Sequence, residues 1–373
     1  TMIASGKVED RMERGQAVEL EANWDDDDGY YVFKHNDVID DRFQVISTLG
    51  RGVFSSVFKA VDVRDGKDRR EVAIKIIRAN NMMEHTGMKE LSVLQDLNQE
   101  DPEDRRHIVR LFESFRFRGH LCIVLEVVGN LNLRKVIAKY GDGRGLAFKA
   151  VRSYTKQILT ALRHMHKLGM VHADLKPDNM VISQELKLLK VCDMGSVHRK
   201  HELSELDETR YLVSRYYRAP EIVLGLTKKD CPLDIWSAGC AFIEMYTGKI
   251  LFTGETNNDI LKSHIEVCGK VPRRLQRQGI FTGEHFDSDG VFLHNELTDK
   301  VTRKRTQRSM PNLTQTREIY PLLLRPHGKH GTKTDAKLRE DLSHFANLVG
   351  RALTMDPKKR ITAEDALKHR VLC

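Results

Sequence analysis

No apolar run in these 373 residues approaches the roughly 18–20 positions that a membrane-crossing helix needs, and no hydrophobic leader opens the chain. An intracellular protein without a membrane partner is therefore expected. The sequence begins at Thr1 rather than Met and reads as a piece of something longer. Cysteine is scarce and scattered. Cys122, Cys192, Cys231, Cys240, Cys268 and Cys373 form no Cys-x-x-Cys pair, which removes the usual zinc and disulfide signatures and leaves reduced thiols. Acids are in deficit, 53 against 61 Lys and Arg, for a net charge of +8. Such a balance raises nucleic acid, membrane surfaces or acidic substrates as partners. The excess is local, at Arg303, Lys304, Arg305 and Arg308 and across residues 325–337. Clusters of this size are more often solvated loops, so nucleic-acid binding is not expected. Aromatics make up only 7% of the chain, yet 40% hydrophobic residues are compatible with a full core in one large two-lobed domain or two ordinary ones.

What the chain does contain is a dense polar stretch, His172-Ala173-Asp174-Leu175-Lys176-Pro177-Asp178-Asn179. Asp174 can accept a proton from a hydroxyl, Lys176 can neutralise a transferring phosphoryl group, and Asn179 can bind a divalent metal through its amide oxygen. Short apolar runs at 170–171 and 180–182 read as strands that pin this loop at both ends. Fourteen residues on, Asp193-Met194-Gly195 supplies a second carboxylate followed by a flexible glycine. Asp, Lys, Asn and Pro are also ordinary turn residues, so the loop alone does not decide.

The remaining signals fall in order along the chain. Residues 1–23 are polar and aperiodic and read as a flexible arm. Trp24, four acids at 25–28 and the run Gly29-Tyr30-Tyr31-Val32-Phe33 read as a tether, because aromatics tend to be buried. Between two predicted strands lies Leu49-Gly50-Arg51-Gly52-Val53-Phe54-Ser55-Ser56-Val57, a glycine-rich turn whose backbone can approach phosphates. A strand rather than a helix follows it, which argues against a dinucleotide site. Val72-Ala73-Ile74-Lys75 ends another strand, and a lysine in that setting needs a partner. A helix with Met88, Leu91, Leu94 and Leu97 on one stripe should supply it, through Glu90 or, as runner-up, Glu84. Residues 121–125 form a further buried strand, with 126–129 as a connector. Val151, Tyr154, Ile158, Leu162 and Met165 space a long amphipathic helix that Gly169 stops. Ala219-Pro220-Glu221, the helix opening at Asp234-Ile235-Trp236, a basic and irregular stretch over 270–337 and a final helical pair complete the chain.

Seven of these signals together resemble a eukaryotic protein kinase over roughly residues 43–370. Tyr217-Arg218-Ala219-Pro220-Glu221 and the 270–337 stretch are similar to the CMGC group. The stretches at 52–57, 86–91, 172–179, 211–215 and 247–252, with Asn23-Trp24 and Gly29-Tyr30-Tyr31, are similar to the pre-mRNA-splicing kinases called pre-mRNA processing factor four kinases. The resemblance implies an α+β bilobal fold, with a small β-rich N-lobe at 43–128, a larger helical C-lobe at 129–373 carrying an insertion about 270–337, and an extension at 1–42. It implies a monomeric catalytic domain acting in the nucleus on splicing factors, with ATP and Mg²⁺ as cofactors.

Residue roles follow from the same resemblance. Leu49, Gly50 and Gly52 would cover ATP, with Gly50 and Gly52 over its phosphates. Lys75, held by Glu90, would grip the α- and β-phosphates, and Asn179 and Asp193 would bind two Mg²⁺ ions. Val57, Ala73 and Val181 would sandwich the adenine, the backbone of Glu126 to Val128 would bond its edge, and Leu125 would stand behind it. Asp174 would deprotonate the substrate hydroxyl beside Lys176, and Glu221 would pair with Arg360. Phosphate on Tyr211, added by the kinase itself, would be received by Arg215 and Arg218. Met194 departs from the usual Phe, and Ala173 from the usual Arg, without touching a group that performs chemistry. A pseudokinase scaffold is the alternative, and it needs a missing Lys, Asp or metal ligand where all are present.

Overall fold

The computed structural model describes residues 25–34, 37–64, 69–205, 212–324 and 336–373. They divide into two compact units, one running up to Asn98 and including Arg110–Val127, the other made of Gln99–Val109 and Val128–Cys373. The first is a curled antiparallel sheet with a helix, the second is mainly helical, and together they make a mixed α+β chain.

The sheet of the first unit has the order β1-β2-β3-β4-β6-β5, with β1 at Val38–Ile39, β2 at Phe43–Arg51, β3 at Ser55–Asp62, β4 at Arg70–Ile77, β5 at Leu111–Phe117 and β6 at His120–Glu126. Strand β4 is buried on both faces from Val72 onward. Its alternation sends Val72, Ile74 and Ile76 into a core with Tyr31, Phe43, Phe58 and Val124. Ala73, Lys75 and Ile77 therefore face the other side, toward helix α1 (Asn81–Gln99). Helix α1 begins where the Asn80 side chain accepts from the Met82 amide at 2.9 Å. Its buried face is Gly87, Glu90, Leu91, Val93, Leu94 and Leu97. The stripe expected from the sequence included Met88, which is instead 46% exposed. Gly87 holds the contact position one residue earlier, because a Cβ there would meet Ile77 Cγ1 at 2.9 Å and Leu121 Cδ2 at 3.1 Å. That close approach brings Glu90, one turn on, over the lysine face of β4.

Residues 25–33 pack onto this same unit. Tyr31 is buried against Phe117 and His120, and burial pushes its phenol up to about 12. His120 bonds Asp25 through Nε2 at 2.7 Å. Trp24 lies outside the described residues.

In the second unit, α2 spans Leu133–Tyr140 and α3 spans Phe148–Lys167, with Val151, Tyr154, Ile158, Leu162 and Met165 all buried. Gly169, at φ +69°, releases the chain from α3 into short strand β7, Met170–Val171. Helix α4, Pro232–Thr247, is buried at every position from Leu233 to Tyr246, as its nearly continuous apolar sequence requires. Helix α5, Asn257–Cys268, opens on a capping box of Thr256 and Asp259. The stretch expected to be irregular contains a paired hairpin, Phe292–Leu297 with Arg305–Met310. Segment 99–109 belongs here because Val191 and residues 107–109 exchange backbone bonds and Lys190 pairs with Asp104.

Candidate functional site

Within the first unit, the Lys75 ammonium lies 2.7 Å from both Glu90 oxygens, with the residues 8% and 3% exposed. Glu84, the other sequence candidate, pairs with Arg116. Cross-strand register, Val57 opposite Lys75 and Ala73 opposite Leu125, puts these four side chains on one face of the sheet. Leu49 and Gly50 lie just before the end of β2 at Arg51, and the turn to β3 closes with the Gly52 amide donating to the Ser55 carbonyl at 2.9 Å. Among the described residues, apart from its two chain neighbours, no heavy atom lies within 4 Å of where a Cβ on Gly50 would point. Glu126 accepts from the Arg110 amide at 2.6 Å and donates its own amide to the Arg110 carbonyl at 3.0 Å. Of its backbone groups, the amide is thus already engaged within the unit.

In the second unit, Val181 lies on a strand, Met180–Ile182, that pairs with Leu189–Val191. Val128 is half-buried, and Gly129 beside it passes so close to Ile182 that a Cβ would stand 2.1 Å from its carbonyl oxygen. The polar loop between β7 and Met180 is densely bonded. Asp174 Oδ1 accepts from the Ser214 hydroxyl at 2.7 Å and the Ser214 amide at 3.1 Å. Its Oδ2 accepts from Lys176 Nζ at 2.6 Å and Asn179 Nδ2 at 3.2 Å. Lys176 also donates to the Ser214 hydroxyl at 2.9 Å. Asn179 Nδ2 further donates to the Asp174 carbonyl at 2.9 Å, which fixes the amide plane. Asn179 Oδ1 takes no hydrogen bond among the described residues. A neutral, oriented oxygen without a donor fits a hard divalent cation, as does the exposed carboxylate of Asp193. Asp193 sits at φ +63° and Met194 behind it is buried, so the thioether fills the place of the expected ring.

The loop is held from far along the chain. Asp234, completely buried in the first turn of α4, accepts from the His172 and Ala173 amides at 2.8 and 2.9 Å and lies 2.9 Å from His166 Nε2. Those two bonds keep Ala173 at φ +60°, a conformation costly for a residue with a Cβ. Arg134 of α2 bonds Asp178 at 2.9 Å, Glu244 at 2.6 Å and the Tyr217 hydroxyl at 2.5 Å, and that hydroxyl donates to Glu244. Glu221 and Arg360 meet at 2.6 and 2.9 Å in full burial, and Arg360 donates as well to the carbonyls of Thr354 and Pro232.

Tyr211 lies outside the described residues. Of the arginines expected to serve it, Arg215 is exposed and its guanidinium has no partner among the described residues. Arg218 is buried and donates to the Leu212 and Val213 carbonyls and to Asn257.

Three functional elements were not read from the sequence. Ser214 and Asp234 stand in the sequence only as parts of longer motifs, and no local pattern marks Arg134. A buried carboxylate in the first turn of an apolar helix, as at Asp234, is the signal that could have been followed.

The sequence pattern of the protein kinase domain family matches residues 43–372. Serine/threonine-protein kinase prp4 of Schizosaccharomyces pombe is 40% identical over 357 residues, 94% of this chain and 71% of that protein. Serine/threonine-protein kinase prpf4B of Dictyostelium discoideum is 38% identical over 360 residues, 95% of this chain and 42% of the relative, so the chain spans less than half of it. Dual specificity tyrosine-phosphorylation-regulated kinase 4 of Homo sapiens is 30% identical over 351 residues, 93% of this chain and 60% of the relative.

Proposed function

Because this chain belongs to the protein kinase domain family, with serine/threonine kinases of the CMGC group as its relatives, we propose that it phosphorylates Ser or Thr on splicing factors in the nucleus. The observation that carries the chemistry is the Ser214 hydroxyl 2.7 Å from Asp174 Oδ1. An aliphatic alcohol bonded to that oxygen is the arrangement a substrate Ser or Thr needs to give up its proton. With four hydrogen bonds the carboxylate is saturated, so the substrate hydroxyl takes over Ser214's place on Oδ1. Lys176, bonded to Oδ2, supplies a positive charge beside the reacting oxygens. Lys75, rigidly held by Glu90, is the ligand for the α- and β-phosphates, and the adenine would lie against Val57, Ala73 and Val181. ATP would bring the phosphoryl group, and Mg²⁺, for which Asn179 Oδ1 and Asp193 are suited, would offset its charge. Incubating the chain with Mg-ATP and arrayed peptides from spliceosomal proteins tests the reading. Phosphate should appear on Ser or Thr, and its absence from every peptide would leave the scaffold alternative.

The same reading includes a switch at Tyr211. Phosphorylation adds about −1.5 to −2 charges at neutral pH and several strong acceptors. The Arg215 guanidinium, which has no partner among the described residues, supports it, as does Val213, a β-branched residue at φ +69° whose carbonyl Arg218 holds. Mass spectrometry of the active protein should find phosphate on Tyr211. Tyr211→Phe should lower turnover at least about tenfold, or about 1.4 kcal/mol of barrier. Full activity in that variant would remove the switch.

A further inference from the structure

The tip of the glycine-rich turn is bonded to the segment that precedes the sheet. The Tyr30 hydroxyl lies 2.9 Å from the Gly52 carbonyl and 3.0 Å from the Val53 carbonyl. Arg78 Nη1 donates to the same Val53 carbonyl at 3.1 Å, and the Arg78 amide donates to the Phe54 carbonyl at 3.1 Å. Tyr30 is itself fixed. Its ring lies against the guanidinium groups of Arg51 and Arg78, 3.9 and 4.4 Å from the centroid, and its amide bonds Asp26 at 3.0 Å. Asp26 in turn pairs with Arg51 at 2.7 Å, and Arg78 Nε donates to the Asp28 carbonyl at 2.8 Å.

A trans peptide group points its C=O and its N–H in opposite directions. The Gly52 carbonyl shares a plane with the Val53 amide, and the Val53 carbonyl with the Phe54 amide. Holding both carbonyls on the Tyr30 side turns both amides to the far side of the turn. The Val53 and Phe54 amides have no partner among the described residues, and both side chains are exposed. Two adjacent, oriented and unpaired N–H donors form an anion-binding concavity.

We propose that Tyr30 is a positioning residue, which through the Gly52 and Val53 carbonyls presents the Val53 and Phe54 amides to the phosphates of the nucleotide. The inference rests on the reading that this turn covers ATP. It assigns to a residue outside the matched kinase domain a part in nucleotide affinity, beyond that of anchoring its own segment.

Tyr30→Phe keeps the ring between the two arginines and removes only the hydroxyl. Calorimetric titration of the whole chain with Mg-ATP and, separately, with adenosine isolates the phosphate contribution. In Tyr30→Phe the affinity for Mg-ATP should fall about three- to tenfold while that for adenosine stays unchanged, and KM for ATP should rise without change in KM for the peptide. Tyr31→Phe is the control. Its hydroxyl bonds Asp37 and Arg118 rather than the turn, and it should leave the ratio of the two affinities as in the wild type. Equal Mg-ATP affinity in Tyr30→Phe and the wild type would overturn the proposal. So would a parallel loss for ATP and adenosine with a lowered melting temperature, which would make Tyr30 an anchor only. If the wild-type chain binds adenosine and ATP equally, or neither, it is the nucleotide reading of the turn that fails, and the proposal falls with it.

Discussion

Asp174→Asn should cut turnover by roughly 10²–10⁴-fold, the range a general base supplies, and leave ATP affinity close to that of the wild type. The asymmetry follows from what the carboxylate touches. Its bonds run to Ser214, Lys176 and Asn179, and the hydroxyl geometry on Oδ1 is that of a proton acceptor. An amide in its place keeps an oxygen for one side but turns an NH₂ group toward the other. In either orientation it cannot take up the proton, and one orientation sets donor against donor at Lys176. Single-turnover kinetics with bound Mg-ATP separates this loss from any change in nucleotide binding. Near-normal turnover would mean that the base lies elsewhere.

The second large effect concerns stability. Glu221→Ala strands the Arg360 guanidinium, whose side chain is completely buried, with two carbonyls and the Trp236 ring for company. Removing one partner of a buried ion pair costs about 3–5 kcal/mol. In a chain of this size that should lower the melting temperature by on the order of 10 °C. Replacing both partners, as in Glu221→Leu with Arg360→Met, should recover much of the loss, since the uncompensated charge goes with the pair. Calorimetry on the three proteins decides. A Glu221→Ala variant as stable as the wild type would mean that water or another acceptor reaches Arg360.

The residues whose roles were legible in the sequence are those whose signal is local. Lys75 lies in an apolar strand, which itself demands a partner, and Asp174, Lys176 and Asn179 crowd one short loop. Even there the helix face expected from the spacing differs by one residue at Met88, because periodicity cannot tell that a glycine occupies the tightest contact. The rest depends on pairs far apart in sequence: Ser214 is 40 residues from Asp174, Asp234 is 61 from Ala173, and Glu244 is 110 from Arg134. Nothing in the spacing of one partner announces the other. The hairpin at Phe292–Leu297 and Arg305–Met310 escaped for a different reason, since its charged second strand is mostly exposed and carries no alternation of apolar residues.

The bond between Asp234 and the polar loop bears on how protons leave the backbone. His172 and Ala173 belong to a connection between short strands, where amide hydrogens ordinarily trade with solvent through small local openings. Here each is bonded to a carboxylate that has no exposure at all and belongs to a helix buried at every position from Leu233 to Tyr246. Freeing either amide requires that helix to part from its neighbours. In deuterium these two loop hydrogens should be retained as long as those of α4 itself, and the loop that carries Asp174 opens only when the core of its own unit does.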